Sequence, residues 1–327
     1  MDYLKLAQEI IDGTREITPD EALYILESTD DWWAIYAGAV ALKNGISANE
    51  VRLNTLLNAK SGLCAEDCGY CAQSKYSEAE VETYGLIPND EIIKKALIAK
   101  KNHASTFCIA MSGTRATMRE LKVMGDALRT IKEDLNLELC VSMGLLDSEQ
   151  IDYLKSVGVD RVNHNLNTPR DNYDNITTTH SYQDRIDTLD RLNEDDVNIC
   201  SGFICGMGET DEQLVEMAFD LKEKNPYSVP MNFLLPIDGT KLEGRHELTP
   251  LRCLKVVTMI RYLFPRTEIR ISAGREYHLA EMQNLGMLLV DSIFLGNYLT
   301  EKGDPVEKDI EAIHKHGLKI YEAVTVK

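Results

Sequence analysis

The sequence predicts an α/β protein, a (β/α)8 barrel of the TIM type preceded by an N-terminal helical extension, and three observations predict it. From residue 55 onward, eight short apolar or β-branched runs alternate with longer amphipathic segments, the pattern of parallel strands joined by crossover helices. The first fifty residues contain no such run and read as helices. No low-complexity stretch and no linker rich in Gly, Pro or Ser divides the 327 residues, so one large folded body is expected.

Taken in order, segment 1–50 is the helical extension. Within it Thr18-Pro19-Asp20-Glu21 supplies an N-cap, a proline at the first helical position and a glutamate three residues after the cap, just ahead of apolar Ala22, Leu23, Ile25 and Leu26. The barrel is expected over 51–302. Its strands are read at 55–59, 106–111, 137–142, 161–166, 198–204, 230–235, 269–273 and 292–295, and its helices include 115–133, 148–157, 182–192, 211–224 and 251–264. Segment 303–327 reads as a last helix and a frayed end. An open, doubly wound sheet gives a similar alternation, so closure is inferred from the count of eight. In a closed barrel the chemistry sits at the C-terminal ends of the strands.

Charge and composition exclude several functions. Lys and Arg total 35 against 53 for Asp and Glu, a formal net charge of -18, which repels a phosphate backbone and argues against nucleic acid as a partner. The start, Met1-Asp2-Tyr3-Leu4-Lys5, shows no basic segment followed by an apolar run, and no stretch of about 18 apolar residues follows. A soluble, cytoplasmic protein without a membrane partner is expected. Eight cysteines in a chain this long are too few and too uneven for a secreted disulfide scaffold.

Three of those cysteines, Cys64, Cys68 and Cys71, form a CxxxCxxC pattern in Ser61-Gly62-Leu63-Cys64-Ala65-Glu66-Asp67-Cys68-Gly69-Tyr70-Cys71, directly after the first expected strand. Soft thiolates this close suit iron–sulfur or zinc, and structural zinc wants a fourth Cys or His at matching spacing. The first histidine in the chain is His103. Three ligands on a four-iron cluster leave one iron open to a small molecule. The same positions have helical spacing and would suit a buried stripe, but Gly62, Gly69, Glu66 and Asp67 argue for a loop.

Three more cysteines stand singly within expected strands: Cys108, Cys140 and Cys200. One alone would read as a small core hydrophobe. Neighbouring strands add Asn163, Asn165, Asn232 and Arg270. Alternation along a strand sends such residues either to the barrel interior or to the helix layer. An interior holding them is poorly satisfied without a ligand or metal. Cys205 and Cys253 read as packing residues, and Gly206-Met207-Gly208 as a turn into the following helix.

The triplet, with aromatic Tyr70 before its third cysteine, resembles the defining loop of the radical S-adenosylmethionine superfamily. Over nearly the whole chain the resemblance narrows to the biotin synthase family. It is carried by Asn58-Ala59-Lys60-Ser61-Gly62, Val162-Asn163-His164-Asn165-Leu166-Asn167-Thr168, Cys200-Ser201-Gly202, Gly206-Met207-Gly208-Glu209-Thr210, Ile271-Ser272-Ala273-Gly274-Arg275-Glu276 and Gly296-Asn297-Tyr298-Leu299-Thr300. The resemblance implies a [4Fe–4S] cluster on Cys64, Cys68 and Cys71 whose free iron binds S-adenosyl-L-methionine and yields a 5′-deoxyadenosyl radical. It implies a [2Fe–2S] cluster on Cys108, Cys140, Cys200 and Arg270 as sulfur donor, and dethiobiotin as substrate. Tyr70, Asn165 and Asn167 would contact S-adenosylmethionine, and Asn163, Asn165 and Asn232 would lie near dethiobiotin. Position 167 is Asn where some members have Asp, and Ala65 stands where proline is common after the first cysteine.

A homodimer and an electron donor such as flavodoxin or ferredoxin are also implied. Lys94, Lys95, Lys100 and Lys101 offer a docking patch for such a carrier, but read first as a solvated helix face. Two other functions compete. One is a related barrel enzyme such as a hydrogenase-maturation protein, which needs no [2Fe–2S] arginine. The other is a zinc-stabilised binding or regulatory protein that uses the triplet structurally.

Overall fold

Every residue of segment 106–111, Thr-Phe-Cys-Ile-Ala-Met, is buried in the computed structural model, which describes residues 1–47 and 49–322. A strand is buried on both faces when helices cover one side and a barrel interior lies on the other. The strands are β1 (Glu50–Lys60), β2 (Thr106–Met111), β3 (Glu138–Ser142), β4 (Arg161–Asn163), β5 (Asn198–Cys200), β6 (Phe203–Cys205), β7 (Ser228–Phe233), β8 (Glu268–Ile271) and β9 (Ser292–Phe294). They pair in parallel in chain order, and β9 returns to β1, with Ser292 opposite Arg52 and Phe294 opposite Asn54. The sheet is a closed barrel, and the open doubly wound alternative is set aside.

The run read as one strand at 198–204 is two pieces, β5 pairing β7 through Cys200 and Ser228, and β6 pairing β7 from Phe203. The break falls at Ser201-Gly202, where a Cβ on Gly202 would stand 1.8 Å from the Pro230 carbonyl oxygen. Only glycine lets the two backbones approach this closely. Counted as one interrupted strand, β5 and β6 keep the barrel at eight.

Helices α1 (Tyr3–Ile11), α2 (Pro19–Glu27) and α3 (Trp32–Ile46) precede the barrel. The Thr18 capping box forms as its sequence predicts, with Glu21 N–H on the Thr18 hydroxyl at 3.3 Å and Thr18 N–H on the Glu21 carboxylate at 3.0 Å. Around the barrel follow α4 (Asn89–Lys101), α5 (Met118–Leu135), α6 (Ser148–Ser156), α7 (Tyr173–Ile176), α8 (Tyr182–Glu194), α9 (Asp211–Glu223), α10 (Pro250–Leu263), α11 (Arg275–Leu279) and α12 (Gln283–Met287). The extension shares its core with these helices. Ile35, Ala39 and Leu42 of α3 are wholly buried, Tyr262 of α10 donates to the Ile35 carbonyl at 2.9 Å, and Tyr36 donates to the Leu285 carbonyl at 3.0 Å.

Segment 303–327, expected as a last helix and a frayed end, holds that helix and then an unexpected short strand. After α13 (Val306–Lys315), β10 (Lys319–Ile320) pairs in parallel with Glu50 and Val51 of β1. The reason lies in β1, which starts at Glu50 instead of residue 55, and its extra length offers unpaired backbone to a further strand. Tyr321 then stacks on Arg52, whose guanidinium carbon lies 3.8 Å from the ring centre. Residues 323–327 of the expected frayed end lie outside the described residues. Among the described residues no helix is long and apolar enough to cross a membrane.

Candidate functional site

The triplet follows the C-terminal end of β1, at the barrel mouth, in a loop without helix. Local hydrogen bonds close it. Cys64 N–H donates to the Gln73 carbonyl at 2.9 Å, Lys75 N–H to the Cys64 carbonyl at 2.8 Å, and Cys71 N–H to the Cys68 carbonyl at 3.0 Å. Gly69 N–H reaches the Ile176 carbonyl at 2.8 Å, and a Cβ on Gly69 would sit 3.3 Å from that oxygen, so the tight approach favours glycine.

Asp67 pins the loop to the segment after α7. It accepts from the Thr177 hydroxyl at 2.7 Å and from Thr178 N–H at 2.8 Å. Burial alone would raise its carboxyl, but the hydrogen bonds from Thr178 and Thr177 hold it well below the usual carboxylate range. Glu66 is tied in the same way to His180 Nδ1 at 2.7 Å and to Thr114. Burial pushes the Cys71 thiol up to about 12 and raises Cys68, so metal must displace protons here.

Cys64, Cys68 and Cys71 line one cavity of about 300 Å³ with Tyr70, Asn165 and Asn167. Among the described residues no three His, Cys, Asp or Glu side chains converge as ligands of a single ion would. A cubane, whose cysteines bind different irons, needs no such point. The three soft donors, with no fourth in the cavity lining, therefore fit a four-iron cluster with one iron open.

The second set lies deeper. Sheet register places Cys108 directly opposite Cys140, and Cys200 opposite Asn163 and Ser228. The three cysteines form one buried cluster with Phe294 and Tyr298. Its neighbour Cys140 holds the Cys108 thiol below the ordinary range, while Cys140 itself is pushed up. Arg270 is 1 % exposed, lies with its guanidinium carbon 4.6 Å from the Phe294 ring centre, and places Nη2 3.2 Å from Cys200 Sγ. Its Nε and Nη1 have no hydrogen-bond partner, nor have the buried hydroxyls of Ser201, Ser228 and Ser272 or Asn54 Oδ1. Three buried thiols with the unpartnered guanidinium nitrogens of Arg270 and the Ser272 hydroxyl on the same cavity fit a polar inorganic group better than an empty core.

The asparagines stand between the two sets. Asn163, Asn165 and Asn232 line both the triplet cavity and a smaller one of about 120 Å³ bounded by Cys108, Cys140 and Arg270. Asn163 Nδ2 donates to Asn165 Oδ1 at 3.0 Å and lies 3.4 Å from Cys200 Sγ. Asn165 Oδ1 accepts from Gly202 N–H at 3.1 Å, and Asn232 bridges the Phe203 carbonyl and Ala273 N–H, each at 3.2 Å. Asn165, expected inside a strand over 161–166, follows β4, which ends at Asn163. Asn167 lies further along with φ of 69°, in the left-handed region that asparagine tolerates.

Sequence reasoning missed Arg185. Of the residues around the triplet cavity it alone is an arginine or lysine, and it holds Tyr173 Oη at 2.7 Å and the Asn165 carbonyl at 3.2 Å. Its signal was present, since Arg185 lies three residues after buried Tyr182 and four before buried Leu189, on the apolar face of α8. Leu299, which lines both cavities, carried no chemical signal at all. Lys94, Lys95, Lys100 and Lys101, read first as a solvated helix face, are exposed on α4, with Lys100 and Lys101 in its last turn and Lys100 bonded to the Leu135 carbonyl. That turn leads into the start of β2, at the barrel end opposite the triplet. Cys205 and Cys253 are fully buried in the main core. Gly206 and Gly208 form the expected turn, held by the Glu209 carboxylate on the Gly206 and Met207 N–H groups.

Known proteins place the chain in a family. Residues 60–221 match the family profile of the radical SAM superfamily, and residues 230–319 match the Biotin and Thiamin Synthesis associated domain. Biotin synthase of Streptococcus agalactiae serotype III is 54% identical over 313 residues, covering 96% of this chain and 95% of that protein. Biotin synthase of Halalkalibacterium halodurans is 42% identical over 328 residues, covering 100% and 98%. In fold the chain is similar to methylornithine synthase, with a TM-score of 0.82 at 19% identity over 97% of each chain. It is also similar to the FeFe-hydrogenase maturase of Carboxydothermus hydrogenoformans, with a TM-score of 0.83 at 16% identity over 99% of this chain and 80% of that one. With 54% and 42% identity to curated relatives over nearly the whole of both chains, the chain belongs to the biotin synthase family.

Proposed function

We propose that this chain, an enzyme of the biotin synthase family, inserts sulfur into dethiobiotin with its two cysteine sets in separate roles. Cys64, Cys68 and Cys71 would hold the [4Fe–4S] cluster, and Cys108, Cys140, Cys200 and Arg270 the [2Fe–2S] cluster. When bound, the first group and S-adenosylmethionine supply a hydrogen-abstracting 5′-deoxyadenosyl radical, and the second supplies sulfur.

The observation that carries this reading is the position of Asn163, Asn165 and Asn232, which line both cavities at once. A substrate held by their amides would meet the radical source on one side and the sulfur source on the other, and proximity of this kind lowers the barrier by positioning alone. Asn165 and Asn167, with Tyr70 beside them, are proposed to hold the nucleoside side of S-adenosylmethionine. Arg185 is the cation available in that cavity for its carboxylate. Leu299 and Phe294 keep water from the reacting carbons. Residues 1–50 serve as a helical extension, 51–302 as the catalytic barrel and 303–327 as a C-terminal helix and tail. A homodimer, a cytoplasmic setting and flavodoxin or ferredoxin as reductant complete the proposal, with the carrier docking at the mouth near the triplet.

The test is an anaerobic assay of iron-reconstituted protein with S-adenosylmethionine, a strong reductant and dethiobiotin, followed by mass spectrometry. Both 5′-deoxyadenosine and biotin are expected. Deoxyadenosine without biotin would leave the radical role and remove the substrate, and neither product from an iron-loaded sample would remove both.

A further inference from the structure

Period-two alternation turns Glu268 inward with Arg270 on β8, one layer nearer the N-terminal end of the barrel. Glu268 lies among charges. Its Oε2 is 3.1 Å from Arg161 Nη1, its Oε1 is 3.7 Å from Arg270 Nη1, and the Ser292 hydroxyl donates to Oε1 at 2.8 Å. Arg161 continues the chain of charges to Glu138, and Glu138 reaches Arg52 at 3.2 Å. Arg161 and Arg270 are each 1 % exposed. Burying such charges is tolerated only because each finds an opposite partner.

This ladder separates two spaces. Below it, at the N-terminal end of the barrel, a polar cavity of about 650 Å³ is lined by Glu268 with Arg52, Tyr227, Asp291 and Tyr321. Above it, Arg270 lines the small cavity of Cys108 and Cys140. Glu268 borders the lower space and its Oε1 faces the residue that borders the upper one.

We propose that Glu268 is the positioning residue of the sulfur-donor site: it holds Arg270 against Cys200 and closes the barrel floor, so that the [2Fe–2S] group is reached only from the mouth. The inference rests on the assignment of that cluster to Cys108, Cys140, Cys200 and Arg270. Nη2 of Arg270 is committed to Cys200 Sγ, and Glu268 is the carboxylate beside Nη1. Removing it takes away the group that orients the guanidinium from below, and opens a route between the two cavities.

Glu268→Ala and Glu268→Gln would be prepared in the full-length, cluster-loaded protein. The visible absorption and resonance Raman bands of both clusters would be recorded, then the rate at which a water-soluble iron chelator bleaches the [2Fe–2S] bands. Unfolding of the unloaded proteins would be followed in parallel. For Glu268→Ala, bleaching is expected to accelerate roughly tenfold or more, the usual scale for losing a group that orients a metal ligand, with the [4Fe–4S] bands unchanged. Glu268→Gln keeps the shape of the floor and loses the charge, so its bleaching stays close to the parent rate while its [2Fe–2S] bands shift. A merely structural role would lower the unfolding temperature without moving bands or bleaching in folded protein. Parent-like bands and bleaching in both variants would overturn the inference. If Glu268→Ala fails to fold, the Glu268→Gln bands decide: shifted bands support Glu268 and parental bands overturn it. Absence of [2Fe–2S] bands from the parent itself would instead overturn the cluster assignment, and the inference with it.

Discussion

The mouth and the interior of this barrel hold three cysteines each, and the chain secures them by different means. At the mouth, Cys64, Cys68 and Cys71 sit half-buried on one loop, held by its own turns and by Asp67 on the 177–179 segment. In the interior, Cys108, Cys140 and Cys200 come from three strands, and sheet register alone brings them together. A loop can move to admit a cofactor and release its products. A register cannot shift without undoing the barrel. The arrangement suits a group that binds and releases a small molecule at the mouth, and one that must stay fixed while it is consumed within.

The strongest way to break this comparison is to remove one cysteine from each set. Cys71→Ala is expected to abolish both 5′-deoxyadenosine and biotin, because only Cys64 and Cys68 would remain in the loop to hold the cluster. Cys140→Ala is expected to abolish biotin and leave deoxyadenosine formation measurable, since the mouth is untouched. Mass spectrometry of both products after an anaerobic turnover separates the two. Biotin at the parental rate from Cys140→Ala would end the sulfur-donor role of the interior.

The same contrast explains what was legible in the sequence. The triplet declares itself because its residues are neighbours in the chain, and Gly62, Gly69, Glu66 and Asp67 mark a loop without any knowledge of the fold. The interior site was legible at one remove. Placing Cys108, Cys140 and Cys200 on strands is a local inference, but their meeting depends on closure and on pairings such as Cys108 with Cys140. Pattern reading fails where a long-range contact decides the outcome. The break at Ser201-Gly202 is set by the Pro230 carbonyl, β10 by the free lower end of β1, and the importance of Glu268 by the two arginines it meets. None of these partners is near in sequence except Arg270, whose own neighbourhood reads as an ordinary strand.

A smaller effect sharpens the view of the mouth. Asp67→Ala leaves the Thr177 hydroxyl and the Thr178 N–H without their acceptor, and stranding such partly buried donors costs about 2 kcal/mol. In a chain of 327 residues that lowers the unfolding midpoint by about 3 °C, at about 1.5 °C per kcal/mol. The loss should show as faster release of iron from the [4Fe–4S] site at a temperature where the barrel is intact, with the [2Fe–2S] bands stable. Equal losses from both clusters would mean that the loop and the interior are one cooperative unit and not two.

The smallest effect tests the interior from the opposite direction. The Ser272 hydroxyl is buried, lines the cavity of Cys108, Cys140 and Arg270, and has no hydrogen-bond partner. An unsatisfied buried hydroxyl contributes nothing to the fold, so Ser272→Ala should leave the unfolding of the metal-free protein within about 0.5 kcal/mol of the parent, or raise it slightly. If the hydroxyl is kept for the cluster, the loaded variant should lose its [2Fe–2S] bands faster than the parent despite the unchanged fold. The sign of the two measurements matters more than their size. A hydroxyl that costs the empty barrel something and repays it only when the group is bound marks a site shaped for its cofactor, whereas a variant that matches the parent in both states would return Ser272 to the ordinary packing of a barrel core.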